Sequence, residues 1–320
     1  MPLGIKAYID FVFKKTFGSP ENSIALIGLL NAILEPTSPI TEVTILNPFS
    51  YKEFESDKTV VLDVRAMDIK GCIYNIEMQV SIHPRLMERL VYYVCGLYVG
   101  QMSQGDSYAK LNSAISICLL TNTLFPDTPQ AHHRFQMADL KSGRKLDRAI
   151  EVHTVELAKY NVDETSLAHA SPLKRWCWLI LNAHKHSADE LRRWFPETEF
   201  QQAIGSFEII SSKTKDKAMH DQRERAERDY EWILASARQE ALEKGREEGL
   251  EKGLEEGLEK GLEKGLEKGR EEGAVIGWIQ ALQQVLGDPM ATTQELTGES
   301  LPDLQQILND LQQRVRSRPS

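Results

Sequence analysis

Apolar side chains recur at helical spacing through residues 10–34, at Phe13, Phe17, Leu26, Leu29, Leu30 and Ile33. The break at Gly18, Ser19 and Pro20 predicts two short helices or one interrupted helix. Pro36 and Pro39 end the segment. Three β-branched and apolar runs follow at 43–49, 59–68 and 72–80, and the short turn around Lys70 and Gly71 makes the last two a predicted β-hairpin. Residues 85–102 return to helical spacing through Leu86, Leu90, Tyr93, Val94, Leu97 and Tyr98. The run 114–120 is apolar but for Ser116, with the length of one buried strand. Residues 1–125 are therefore expected to form an α/β core. The stretch 126–220 is more polar, with helices predicted at 173–184 and around 188–194, and it reads as a mostly helical accessory region. Its Trp176, Trp178, Leu179 and Leu181 stripe reads as core packing.

The rest of the chain has another pattern. Glycines stand at 245, 249, 253, 257, 261, 265, 269 and 273, with Leu at 250, 254, 258, 262 and 266 and with Glu and Lys filling the remaining positions. A row repeating every four residues drifts by about 40° per repeat around a helix of 3.6 residues per turn. No straight helix keeps such glycines on one face, and any supercoil driven by this period is right-handed. Eight interior glycines cost an isolated helix about 6–8 kcal/mol against alanine. Like charges at Glu259, Glu263 and Glu267, spaced i,i+4, give no relief. The charged repeat region, 221–273, is accordingly expected to be a conditional helix: a self-association rod or a solvated spacer. In 274–320, the runs 274–286 and 301–315 predict two short amphipathic helices around a turn at 287–289.

Composition excludes several classes. At 41% hydrophobic and 27% charged, the chain of 320 residues has the make-up of a globular protein. The longest apolar run, 24–34, is eleven residues and contains Gly28 and Asn31, short of the roughly 18 that a membrane helix needs. No secretory signal is readable at the N-terminus, so a cytoplasmic protein is expected. Cys72, Cys95, Cys118 and Cys177 are scattered, and neither a disulfide framework nor a zinc site is legible. The net charge of −9 is unevenly spread: residues 1–220 hold 24 basic and 25 acidic side chains, leaving most of the excess acid in the last hundred. The near-neutral body has one dense basic run, Lys141, Arg144, Lys145 and Arg148, readable as a phosphate contact or as a solvated face.

The chemistry concentrates in the hairpin. Asp63 lies in VVLDVRAMD, and Glu77 and Gln79 lie in YNIEMQV, three polar groups in two otherwise apolar strands. Carboxylates are seldom buried unless paired or bound to a cation. Glu77 and Gln79, two apart, share one strand face. A three-residue loop at 69–71 pairs Asp68 with Cys72 and sets Asp63 opposite Glu77 on that face. A two- or four-residue loop without a bulge sends Asp63 to the other face. Two carboxylates converging on one point suit a hard cation; at strand ends they would simply face water.

The order of strand Asp, hairpin, Glu-x-Gln and following helix resembles the PD-(D/E)XK nuclease superfamily with Gln79 in place of the usual Lys. The likeness is closest to the Rpn-type recombination-promoting nuclease and transposase family, through DFVFKKTFG (10–18), NSIALIGLLNAIL (22–34), NIEMQV (75–80) and RLVYYVCGLYVGQMSQGDSY (89–108). It is best over 5–125, weakens through SPLKRWCWLI (171–180), and extends to the low-complexity tail. The resemblance implies a restriction-endonuclease-like mixed sheet flanked by helices, and a DNA-cleaving phosphodiesterase dependent on Mg²⁺ or Mn²⁺. It assigns the metal to Asp63, Glu77 and the backbone carbonyl of Met78, and makes Gln79 a hydrogen-bonding substitute that cannot supply a lysine's charge. Asp10 is the expected acid of the first helix, with Glu21 its rival. Lys14, Lys15, Lys58, Arg89 and Gln101 are candidate phosphate contacts; Arg89, Tyr93 and Gln101 share the following helix, where the alternative is a solvated Arg and a packed Tyr. The expected partners are DNA and further copies of the chain, joined through the C-terminal third. The alternative is a nuclease fold kept as a DNA- or protein-binding module that oligomerises through its repeat.

Overall fold

The computed structural model describes residues 1–51, 63–82, 85–146, 149–160 and 162–317. The described chain divides into two compact units, Met1–Ile233 and Leu234–Ser320.

The first unit is built on a mixed six-stranded sheet ordered β1-β2-β3-β4-β6-β5. The strands are β1 (Val43–Ile45), β2 (Val64–Asp68), β3 (Ile73–Gln79), β4 (Ala114–Leu120), β5 (His132–Gln136) and β6 (Ile150–Glu156). β1, β2 and β3 pair antiparallel, β3, β4 and β6 pair parallel, and β5 returns antiparallel against β6. The parallel β3–β4 pair needs a crossover, supplied by helix α3 (Leu86–Val99). Helix α3 rests on Ala114, Cys118, Leu120 and Val152 and covers one face of the sheet.

The other face carries the main core. Helices α1 (Asp10–Phe17) and α2 (Ser23–Leu34) are separated where the sequence places Gly18, Ser19 and Pro20. With α4 (Pro172–Asn182), α5 (Ala188–Trp194) and α6 (Thr198–Ser212), they bury Phe13, Phe17, Leu29, Trp176, Phe200 and Phe207 against Ile76, Ile117 and Val155. Trp176 is the hub, with ring centroids 4.3 Å from Phe200 and 5.7 Å from Phe17.

The expected boundary at residue 125 is corrected. β5 and β6 lie inside the stretch read as a helical accessory region, and they complete the sheet. Their inward positions are polar and matched to each other: Glu151 accepts from Arg134 and Gln136, and His132 meets His153 at 2.9 Å. A strand that buries Glu151, His153 and Glu156 among its valines lacks the apolar alternation that announces a strand. The run 59–68 is described only from residue 63.

Helix α7 (Thr214–Leu286) takes in the Gly-Leu-Glu-Lys tract and the segment expected as a separate helix at 274–286. Leu250, Leu254, Leu258, Leu262 and Leu266 along it are exposed. Within the second unit, α8 (Thr293–Leu296) and α9 (Leu301–Arg316) close a small core of Ile276, Ile279, Leu296, Leu304 and Leu311. Among the described residues no helix is long and apolar enough to cross a membrane.

Removing the hub side chain, Trp176→Ala, is expected to lower the unfolding free energy by about 3–5 kcal/mol in a urea titration. A loss below about 1 kcal/mol would place the core's centre elsewhere.

Candidate active site

The turn between β2 and β3 decides the site. The Asp68 N–H donates to the Cys72 carbonyl at 3.1 Å and the Gly71 N–H to the Asp68 carbonyl at 2.9 Å, leaving a three-residue loop. The Asp68 carboxylate holds it, accepting from the N–H groups of Lys70 and Cys72. Gly71 has φ +82°, and a Cβ there would stand 2.7 Å from the Asn112 amide, so only glycine closes the turn. From it runs the register Met67↔Ile73, Ala66↔Tyr74, Arg65↔Asn75 and Val64↔Ile76. One step further, Asp63 meets Glu77 across the ladder, on the face shared with Asn75 and Gln79. Both acids are 4% exposed.

The two carboxylates are held differently. Asp63 accepts from Arg65 Nε at 2.9 Å, and Asn47 Nδ2 lies 3.2 Å from its carbonyl and 3.4 Å from its Oδ1. Asn47 Oδ1 in turn accepts from the Arg65 N–H at 2.7 Å. Beneath them the buried Lys14 ammonium donates to the carbonyls of Asn47 and Asp63, both at 2.6 Å. Glu77 accepts from Asn75 Nδ2 at 2.9 Å and Gln79 Nε2 at 3.3 Å. Burial first, and then the neighbouring charge of Asp63, push the Glu77 carboxyl above its ordinary range, with the Arg89 guanidinium and the two amides acting against the rise.

The Glu77 half of this pair has no ion-pair partner among the described residues, while Asp63 has Arg65. A buried carboxylate raised by a second carboxylate is the environment a divalent cation relieves. Asn75 Oδ1, buried beside Glu77, has no hydrogen-bond partner among the described residues, and so offers a further acceptor for a hydrated ion. The residues fit the cation. Met78 sends its side chain into the opposite core, so only its main chain can serve this face.

Other expected residues are placed as follows. Asp10 opens α1, accepts from the Phe11 N–H, and lies 3.8 Å from Arg223; burial raises its carboxyl, with Arg223 and that N–H opposing. No hydrogen bond or ion pair among the described residues joins it to Asp63 or Glu77. Glu21 sits in the turn at Pro20–Asn22, beyond the other end of α1. Arg89 stacks 5.7 Å over Tyr93 on α3. Lys58 and Arg148 lie outside the described residues.

Three residues expected near phosphate are bonded to protein groups. Lys14 is turned inward to main-chain carbonyls, as described. The Lys15 ammonium binds Asp216 at 2.5 Å and the Tyr51 hydroxyl, over the Tyr51 ring, and burial lowers its pKa. Gln101 is engaged at both ends of its amide with the Asn112 main chain, at 2.9 Å each way. A cation or amide near a site in sequence reaches protein acceptors first when helix packing turns it inward. Asn47 was not anticipated; it lies in a loop after a three-residue strand, and only tertiary pairing brings it to Asp63.

One further cluster of ligand-type side chains, His220, Asp221 and Glu224, is accounted for by protein partners. The Lys6 N–H donates to His220 Nε2, His220 Nδ1 lies 2.9 Å from Asp221, and Glu224 pairs with the Lys6 ammonium.

The family model for a PD-(D/E)XK nuclease family transposase matches residues 7–237, the whole of the sheet and its helices. No curated protein and no solved structure matches the chain. The chain belongs to the PD-(D/E)XK nuclease family transposases.

Because folding raises the Glu77 pKa, its ionised form destabilises the fold as pH climbs from the ordinary value through the raised one. Glu77→Gln, which mimics the protonated acid, is expected to raise the metal-free melting temperature by about 2–4 °C per kcal/mol relieved at pH 7.5. The gain should shrink towards pH 4.5; a gain independent of pH would contradict the assignment. Asn47→Ala, which strips acceptor and donor from the Asp63 strand, is expected to cost about 1–3 kcal/mol in urea, and no cost would show that Asn47 braces nothing.

Proposed function

We propose that this member of the PD-(D/E)XK family is a metal-dependent DNA endonuclease, hydrolysing phosphodiester bonds in recombination or on mobile or foreign DNA. The observation that carries this reading is the buried pair Asp63 and Glu77, set across one ladder, with the Glu77 carboxyl raised by burial and by the Asp63 charge. In this reading Asp63, Glu77 and the Met78 carbonyl hold Mg²⁺ or Mn²⁺. A divalent ion bound there lowers the pKa of a bound water and offsets charge on the phosphoryl oxygens.

The chain's own groups orient that chemistry. Lys14, Asn47 and Arg65 fix Asp63, while Asn75 and Gln79 hold Glu77. Gln79 stands where the family pattern has Lys, and its amide positions a water or a phosphate oxygen by hydrogen bonds without carrying charge. Asp10 is the helix acid of this reading, on the strength of its place at the start of α1. Arg89 of α3 is the cation whose charge acts on the Glu77 carboxyl. We place the protein in the cytoplasm and assign self-association to the C-terminal third, whose exposed leucine row offers a helix-packing surface.

A second reading keeps the fold as a non-catalytic DNA-binding module. Gln79 favours it, because the site then lacks the ammonium available to a Glu-x-Lys enzyme.

Incubation of the full chain with supercoiled plasmid in Mg²⁺, Mn²⁺ or EDTA separates the two, beside Asp63→Ala and Glu77→Gln proteins purified identically. Nicking or linearisation that needs metal and is lost in both variants is expected. Equal cutting by all three proteins would refute the site, and gel retardation without cutting would favour the second reading.

A further inference from the structure

Beyond the sheet edge, residues 137–146 form a hairpin that nothing in the candidate site uses. It is closed by the Ala138↔Lys145 bridge and by the Leu146 N–H donating to the Met137 carbonyl at 3.0 Å. Its tip is locked by Asp139, whose carboxylate accepts from the Ser142 N–H and hydroxyl, both at 2.6 Å, while its main chain bonds to Gly143 and Arg144. Gly143 takes φ +67°. At the base, Glu151 clamps Arg134 through two nitrogens at 2.8 and 2.9 Å and takes Gln136 Nε2 at 2.6 Å. A projection braced at both ends holds its side chains at low entropic cost to a partner.

Those side chains are cationic. Lys141, Arg144 and Lys145 are all exposed, and none has an ion-pair partner among the described residues. With Asp139 they leave a net charge of +2 on ten residues, against −1 on residues 1–220 as a whole. Leu140 stands at the tip 99% exposed, a solvent-facing apolar side chain beside three cations. Both features suit a surface that pairs negative charge with apolar edges.

The placement suits duplex DNA. Glu77 shares a register row with Cys118 and Thr154, and the hairpin leaves the sheet at Gln136, opposite Glu151, three residues below that row and three strands away. At roughly 3.3 Å per residue and 4.8 Å per strand, with at most four extended residues from Gln136 to Leu140, the tip lies within about 30 Å of Glu77. One turn of B-DNA is about 34 Å. A duplex with a phosphate at the acidic pair can therefore meet the hairpin inside one helical turn.

We propose that the 137–146 hairpin is a second DNA contact, in which Lys141, Arg144 and Lys145 neutralise backbone phosphates and Leu140 meets the sugar edge of the duplex. This rests on the nuclease reading for its substrate class. It also gives the near-neutral body a concentrated electrostatic foothold, since sequence-independent affinity comes from phosphates neutralised by Lys and Arg.

The test uses the full chain and a 30-base-pair duplex in EDTA, with affinity read by fluorescence anisotropy across a KCl series. Each phosphate contact contributes about 0.9 to the slope of log affinity against log salt. The triple variant Lys141→Ala/Arg144→Ala/Lys145→Ala is expected to lose about 2–3 from that slope, and the triple Lys141→Arg/Arg144→Lys/Lys145→Arg to keep it. Leu140→Ser is expected to weaken binding with the slope unchanged, because an apolar contact releases no counterion. If wild type binds DNA and the alanine triple matches it in affinity and slope, the hairpin contact is refuted while the nuclease reading stands. If wild type does not bind duplex DNA at all, the nuclease reading fails first. Sedimentation with phosphatidylglycerol vesicles that depends on these residues, with DNA binding unaltered, would assign the hairpin to an anionic membrane surface and overturn the proposal.

Discussion

Everything at the candidate site depends on the register of one hairpin. Side chains alternate faces along a strand, so a slip of one residue between β2 and β3 would carry Asp63 from Glu77 to the opposite face, into the hydrophobic core. The chain fixes that register locally: Gly71 at positive φ, the Asp68 carboxylate capping two N–H groups of the turn, and Gln101 holding Asn112 where it crowds Gly71. The helix residue read as a phosphate contact thus serves the turn that sets the acids.

Two carboxylates brought together out of water oppose folding, and the surroundings answer this unequally. Asp63 is met by the Arg65 guanidinium and the Asn47 amide, with the Lys14 ammonium on its main chain. Among the described residues Glu77 has two amide donors and the influence of Arg89, and its carboxyl stays raised. A fold selected for stability alone would relieve such a group with a neutral side chain. The strain sits where a cation would remove it, in a chain whose family is one of nucleases.

Much of this was legible in the sequence where one physical signal dominated. The break between α1 and α2 follows from Gly18 and Pro20 and β4 from an apolar run interrupted only by Ser116, while the Asp63–Glu77 alignment was legible as one of two outcomes that the loop length decides. What stayed hidden depended on partners distant in sequence. β6 buries Glu151 and His153, which look solvent-seeking until Arg134 and His132 are placed opposite them. Asn47 carries no pattern, since its role exists only once β1 lies beside β2. Lys14 and Lys15 were read by their charge, but helix packing directs one to main-chain carbonyls and the other to Asp216. For the tail, propensity argued against a helix that the structure nevertheless draws as continuous from Thr214 to Leu286.

The claim at the centre is that Asp63 and Glu77 together hold one divalent cation. Isothermal titration of Mn²⁺ into the metal-free protein tests it without relying on cleavage, using wild type, Asp63→Ala and Glu77→Gln in buffers of different ionisation enthalpy. The account expects one site per chain, lost in both variants, with proton release on binding in wild type near the raised Glu77 pKa, because the acid must ionise to coordinate. Binding of equal affinity in all three proteins would contradict it.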